Sequence, residues 1–171
     1  QTCALPIWTV TNGVDLFVEY ETDYADGMIT AGLEANYVAK YSVDAYSKGG
    51  VEVAAAYDCD GYFNINNPCR PIPTMKGKAF VNYRTDAHNL YGAVNYISAY
   101  DDRRSSREIN AHTTVDATYT YTWDDAFDIS LSVYNLTDEQ PPFTVWEMNY
   151  DAYTHSPLGR FVKAGFTYRM Q

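Results

Sequence analysis

Long hydrophobic runs are the first thing missing from this chain of 171 residues. A membrane helix needs about 20 consecutive apolar residues, whereas runs such as Val53–Tyr57 extend over only a few. A mean hydropathy of −0.38 reads as soluble. That scale is blind to strands whose lipid-facing and lumen-facing residues alternate, so a β-barrel stays open. Positive charge is scarce: 12 Lys and Arg stand against 22 Asp and Glu, for a net −10. The basic stripe of a nucleic-acid partner is therefore missing. Only three His occur, at His88, His112 and His155, scattered over a turn, a loop edge and another loop. They offer no convergent metal site, and His155 reads as a hydrogen-bonding residue of its loop. No G-x-S-x-G elbow and no Ser/His/Asp spacing is present, and the carboxylates define no glycosidase pocket. The chain is expected not to be an enzyme and to carry no cofactor or metal.

Aromatic residues are abundant, with 17 Tyr among them. A soluble core favours Leu and Ile, whereas Tyr collects at the two interfaces of a membrane. The pattern of the last strand is the sharpest signal. Val162, Ala164, Phe166, Tyr168 and Met170 alternate with Lys163, Gly165, Thr167 and Arg169, so one face is apolar and the other carries charge. Such a strand separates two solvents.

Six further segments alternate in the same way. Val14 to Glu21 leads through Tyr24-Ala25-Asp26-Gly27, whose Asp-Gly is a strong hairpin signal, into Ile29 to Val43. An irregular stretch from Ser47 to Thr74 carries the breakers Pro68, Pro71 and Pro73. Lys78 to Thr85 turns at Asp86-Ala87-His88-Asn89 into the weakest pattern, Leu90 to Tyr100. The polar segment Asp101–Arg107 precedes Thr114 to Trp123. Asp124-Asp125 then turns into Phe127 to Val133, and a long loop from Leu136 to Leu158 comes before the closing strand. Connections thus alternate short and long, and strand charges fall opposite the apolar rows. Outer-membrane barrels keep that rhythm, and a Lys or Arg facing lipid at the midplane costs roughly 2–4 kcal/mol. The expected fold is an all-β, antiparallel up-and-down transmembrane β-barrel fragment of about seven strands. Bacterial single-chain barrels have even strand counts, so the partner strands are expected upstream.

The opening Gln1-Thr2-Cys3-Ala4-Leu5-Pro6-Ile7 resembles the in-frame translation of a DNA sequencing adapter, so residues 1–7 are set aside and the fold is read from Trp8 to Gln171. Two Cys then remain, Cys59 and Cys69, flanking a Gly/Asn/Pro loop. No second Cys/His pair lies at zinc-site spacing. A disulfide, worth roughly 2.5–3 kcal/mol for so short a loop, is the favoured reading, with two free thiols as the alternative.

Asn135-Leu136-Thr137-Asp138-Glu139-Gln140-Pro141-Pro142-Phe143 resembles the "NLxDxxPP" segment near the end of TonB-dependent receptors. Tyr150 to Arg160 is similar to that family's "YDxYTHxPLGR" block, which ends in Gly159 and Arg160. Asp60-Gly61-Tyr62, with Cys59, Cys69 and Pro71-Ile72-Pro73, resembles a disulfide loop common in the family. The chain departs from it by ending in Met170-Gln171 rather than Phe. The resemblance implies a 22-stranded barrel in the bacterial outer membrane, of which this is the last third, with an N-terminal plug in the lumen. It implies active import of a scarce nutrient such as a siderophore-iron complex, vitamin or oligosaccharide. The implied partners are outer-membrane lipid, the nutrient ligand, the TonB-ExbB-ExbD complex acting through the plug, and the barrel-assembly machinery acting on the last strand.

The loop aromatics Tyr62, Phe63, Phe143, Trp146, Tyr150 and Tyr153 suit ligand stacking, or else pin the loops to the barrel rim. Pro141 and Pro142 end the sixth strand. Glu19, Glu34, Arg84, Asp116 and Arg169 are expected to face the lumen and pair with plug residues. A passive porin or adhesin barrel is the main alternative, followed by a soluble carbohydrate-binding β-sandwich.

Overall fold

A computed structural model describes residues 8–63, 69–124 and 126–169. The adapter-like residues 1–7, part of the cysteine loop, Asp125 and the terminal Met170-Gln171 lie outside the described residues. The strands are β1 (Thr9–Tyr24), β2 (Gly27–Val43), β3 (Tyr46–Lys48), β4 (Val51–Ala54), β5 (Tyr57–Asp58), β6 (Tyr62–Phe63), β7 (Met75–Arg84), β8 (His88–Ile97), β9 (Tyr100–Asp102), β10 (Arg107–Ile109), β11 (His112–Trp123), β12 (Phe127–Tyr134) and β13 (Phe161–Tyr168). No helix occurs among the described residues. The protein is all-β, as its alternating sequence predicts.

The long strands form one antiparallel meander in the order β1-β2-β7-β8-β11-β12-β13, with β5 pairing on the end of β2. Register explains why the alternation matters. One row across the sheet reads Tyr20, Ala31, Val81, Gly92, Ala117, Val133, Val162. The adjacent row reads Glu21, Thr30, Asn82, Tyr91, Thr118, Ser132, Lys163. Each strand's period of two is therefore in phase with its neighbours', and a one-residue slip anywhere would break both faces.

The apolar row is the uncovered one. Tyr20 is 65% exposed and Val162 57%, whereas Ser132 on the polar face is 8% exposed. Among the described residues, strands outside the meander touch it only where β5 pairs the end of β2, so none of them packs as a second sheet on its apolar face. Soluble sheets bury that side; here it is open over seven strands, far beyond the scattered apolar residues of ordinary surfaces. The sheet is open, with β1 and β13 as its edges, and the described residues do not close a barrel.

All three short turns lie at one end of the meander. In the first, Ala25 takes the left-handed φ (54°). Gly27 is needed for a different reason, since a Cβ there would meet the Arg84 carbonyl oxygen at 2.4 Å. The Asp-Gly signal thus marks the right place by way of close strand approach. On the apolar face, aromatics gather at this end: Tyr24 packs edge-on to Tyr83, His88 lies over Tyr119 and Tyr121, and Phe127 contacts Trp123, Phe166 and Tyr168.

The structure differs from the sequence reading at several boundaries: β7 begins at Met75 rather than Lys78, β11 at His112 rather than Thr114, and His88, read as part of a turn, opens β8. β1 begins at Thr9, with a register shift at Asn12/Gly13 that the alternation from Val14 does not reveal. The stretch after β2 is not wholly irregular, because it holds β3 to β6. Tyr100 does not end the fourth strand: β8 stops at Ile97, and Tyr100 belongs to a small sheet of β10, β9 and β6.

Candidate functional site

The long connections (44–74, 98–111 and 135–160) share the opposite end and pack into a cap. The largest fully buried side chains among the described residues lie here: Phe63, Ile109, Asp102, Asp151 and Cys59. The cap is built in two lobes. In the first, the Cys59–Cys69 disulfide packs with Val43 against Tyr41, Tyr57 and Ile72. The second gathers Phe63, Tyr100 and Ile109 against Trp146, one piece from each connection.

Backbone pairing fixes the join between them. Gly61 has a left-handed φ of 72°, and its N–H donates to the Ile72 carbonyl at 2.7 Å. The chain thereby turns into β6, which pairs in parallel with β9 through Tyr62↔Asp101 and Phe63↔Asp102. Asp60 Oδ1 accepts the Tyr41 N–H at 2.8 Å, anchoring this turn on β2.

Most of the aromatics singled out by sequence meet here. Trp146 packs edge-on to Phe63 and stacks on Tyr153, both at 5.6 Å between centroids. Guanidinium groups cover three of the rings: Arg103 over Tyr62 at 3.8 Å, Arg70 over Tyr153 at 4.8 Å and Arg107 over Phe143 at 5.4 Å. Phe143 and Tyr150 face each other across an isolated antiparallel bridge. Phe63 is 1% exposed, so its part is core packing, whereas Phe143 and Tyr153 stand more than half open to solvent.

A polar relay runs behind them, in which His155 makes the hydrogen bond expected of it while the parts of Tyr100 and Asp151 are not legible in the sequence. Asp151 is fully buried, and its Oδ2 accepts the Tyr100 hydroxyl at 2.7 Å. With that proton committed, the Tyr100 oxygen accepts from His155 Nε2–H at 3.0 Å. The order of donors leaves His155 Nδ1 as a bare lone pair, buried and without a partner, beside the perpendicular ring of His112. Burial drives the His155 pKa down to about 4; His112 and Lys76 add to the shift and Asp151 opposes it. Burial also pushes the Tyr100 phenol up, reinforced by the bond to Asp151. Asp102 is a second hub. Burial alone would raise its carboxyl, but hydrogen bonds from the Ser105 hydroxyl, the Arg104 N–H and the Thr144 hydroxyl outweigh it and hold the pKa below the usual range.

The family-like motif residues form a clip at the root of the third connection. Asn135 takes φ 50°, and its side chain exchanges two hydrogen bonds of 2.9 Å with the Glu139 backbone. Asp138 (φ 58°) accepts the Arg160 N–H at 2.7 Å, closing the two ends of the connection on each other. A Cβ on Gly159 would sit 2.4 Å from Asp138 Oδ1, so the glycine makes room for the carboxylate. Arg160 reaches the same carboxylate only loosely, at 4.0 Å between exposed groups. Leu136 is exposed, and Pro141 and Pro142 do not end the sixth strand as the sequence suggests: β12 stops at Tyr134, where Asn135 turns the chain, and the prolines lie further along the connection.

Two of the charges expected to face a lumen have partners within the chain. Asp116 accepts from Asn95 Nδ2 (2.8 Å) and from the Asn135 N–H (2.9 Å), and Arg169 pairs with Asp128. No group of three or more potential metal ligands converges among the described residues. Fold and cap together define an antiparallel meander with one bare apolar face, one polar face and an interlocked cap made by the long connections at one end. Comparison with protein-family models and with curated proteins finds no match.

Proposed function

We propose that this chain is the C-terminal barrel segment of a TonB-dependent outer-membrane receptor, an active importer rather than an enzyme. The observation that carries the reading is sidedness: an apolar surface continuous over seven strands faces outward while the polar rows lie behind it. Lipid is the solvent that rewards such a face, and it leaves the polar face for a wet interior. The aromatic band at the short-turn end suits a membrane interface. Short turns at one end and long connections at the other follow the periplasmic and extracellular sides of such barrels. The Asn135–Glu139 and Asp138–Gly159–Arg160 clip gives a structural reason for the two motifs that carry the family resemblance.

In this reading the open edges of β1 and β13 pair with upstream strands, and the polar face meets a plug. The cap bears the exposed rings of Phe143 and Tyr153 and the half-buried ring of Tyr62, each under a guanidinium, as the surface that meets an incoming nutrient. The test is made on the intact gene in its host. The expected result is an outer-membrane protein with heat-modifiable gel migration, an upstream plug domain, and nutrient uptake abolished when TonB is deleted. Uptake indifferent to TonB would leave a passive barrel. Recovery as a detergent-free soluble monomer would refute the membrane reading itself.

A further inference from the structure

Sequence order scatters the three histidines, but the fold brings two of them together. His112 opens β11 and His155 lies in the third connection, yet their rings meet at 83° with centroids 5.0 Å apart. His112 is 9% exposed and His155 5%. Both line one cavity of about 320 Å³ on the polar side of the sheet, walled by Ile97, Thr114, Asp116 and Phe161 among others. The Nδ1 atom of each ring is buried and has no hydrogen-bond partner among the described residues. Buried polar atoms left in that state are rare in folded proteins and ask for an explanation.

The surroundings hold His155 in the form that binds a cation. Tyr100 gives its proton to Asp151, so its oxygen takes the His155 Nε2–H and the lone pair is left on Nδ1. Burial keeps that ring neutral at ordinary pH. Tying the far ring nitrogen to a fixed acceptor is how proteins orient a ligating imidazole. Two imidazoles that share one ion at about 2.0–2.1 Å, with a tetrahedral angle between them, place their ring centroids roughly 5 Å apart. His112 and His155 stand at that separation. Asp116 adds a carboxylate to the cavity wall. Imidazole nitrogen selects borderline ions such as Cu²⁺, Ni²⁺ and Zn²⁺, whereas Ca²⁺ and Mg²⁺ require oxygen.

We propose that His112 and His155 form a two-histidine site for a borderline transition-metal ion, bound through the two Nδ1 atoms, with its other coordination positions open to water in the cavity. The site does not depend on the receptor reading, because every residue it uses belongs to the described chain and a passive barrel with these loops would share it. His88, at the other end of the sheet with Tyr119 and Tyr121, lies outside it and serves as the control.

Copper titration of the full-length gene product in detergent micelles, stripped beforehand with a chelator, tests the proposal. Electron paramagnetic resonance should show Cu²⁺ bound to two imidazole nitrogens at one site. Excess Zn²⁺ should displace it, and Ca²⁺ and Mg²⁺ should not. His112→Gln and His155→Gln should each weaken binding at least tenfold and leave one imidazole coupling. Tyr100→Phe should weaken binding about 10–100-fold while both couplings persist, since it removes only the acceptor that orients His155. His88→Gln should change nothing. Heat-modifiable migration shows which variants assemble, and His112→Gln carries the test if His155→Gln does not. Copper binding indifferent to both histidine substitutions, or a spectrum without imidazole nitrogen, would overturn the site.

Discussion

The sheet and the cap obey opposite rules of burial. In the meander, apolar side chains such as Val18, Leu131 and Phe166 stand about half open or more, while the polar Ser42 and Ser132 are nearly covered. In the cap, Phe63 and Ile109 are enclosed and arginines lie on the outside. In the proposed reading one chain is written for two solvents: water folds the cap in the ordinary way, and lipid covers the apolar face of the strands. Stability should follow the same division, with sheet substitutions reporting on lipid and cap substitutions on packing.

The largest effect expected of a sheet substitution is Leu131→Lys, on the exposed row at the middle of β12. It should cost roughly 2–4 kcal/mol of folding stability in bilayers. Thr120→Lys, on the polar face of the neighbouring strand, should stay within about 0.5 kcal/mol. Urea titration of the protein folded into vesicles measures both; equal costs would erase the distinction between the faces.

The clip is expected to be worth somewhat less. Asp138→Ala strips the Arg160 N–H of its acceptor and should cost roughly 1 kcal/mol, as lost hydrogen bonds do. Gly159→Ala forces a methyl against the Asp138 carboxylate and should be at least as harmful. In the double variant the two penalties should fall short of adding, because the carboxylate that clashes is gone. Full additivity, read from urea midpoints, would break the link between the two motifs.

Acid should loosen the cap before the sheet. The folded-state pKa of His155 lies near 4, below its ordinary 6.5. The unfolded cap therefore binds the proton more readily, and cap stability falls as pH drops from about 6.5 towards about 4, then levels. Protease nicking within 138–158 should rise over that window and flatten in His155→Gln. Nicking that tracks pH identically in the variant would assign the effect elsewhere. Smallest of all, Arg107→Gln should cost about 0.5–1 kcal/mol through the exposed Phe143 ring. Its exchange signature should stay at the cap and leave β11 untouched.

What the sequence reveals follows the same division. The strands are legible because a period of two survives in the order of residues, and Val162–Tyr168 announces its two faces without any neighbour. The weakest pattern, Leu90 to Tyr100, fails where a local rule must fail. Tyr100 continues the alternation but serves the cap, and nothing nearby in sequence shows that its hydroxyl meets Asp151 and His155 some 51 and 55 residues away. The cap's core is hidden for the same reason: Phe63, Ile109 and Trp146 come from three loops with no shared periodicity. Cys59 and Cys69 form a disulfide, the favoured reading of their spacing. The motif residues Asn135, Asp138 and Gly159 can be picked out in the sequence, but their physical purpose is visible only once the two ends of the connection are seen to touch.

Site-directed spin labelling along β13 addresses the sidedness of the sheet most directly. Labels at positions 162, 164 and 166, in the protein reconstituted into bilayers, should collide with dissolved oxygen and be shielded from a water-soluble nickel complex. Labels at 163, 165 and 167 should lose that oxygen preference. A two-residue period with the opposite phase, or none at all, would contradict the lipid-facing assignment on which the functional proposal stands.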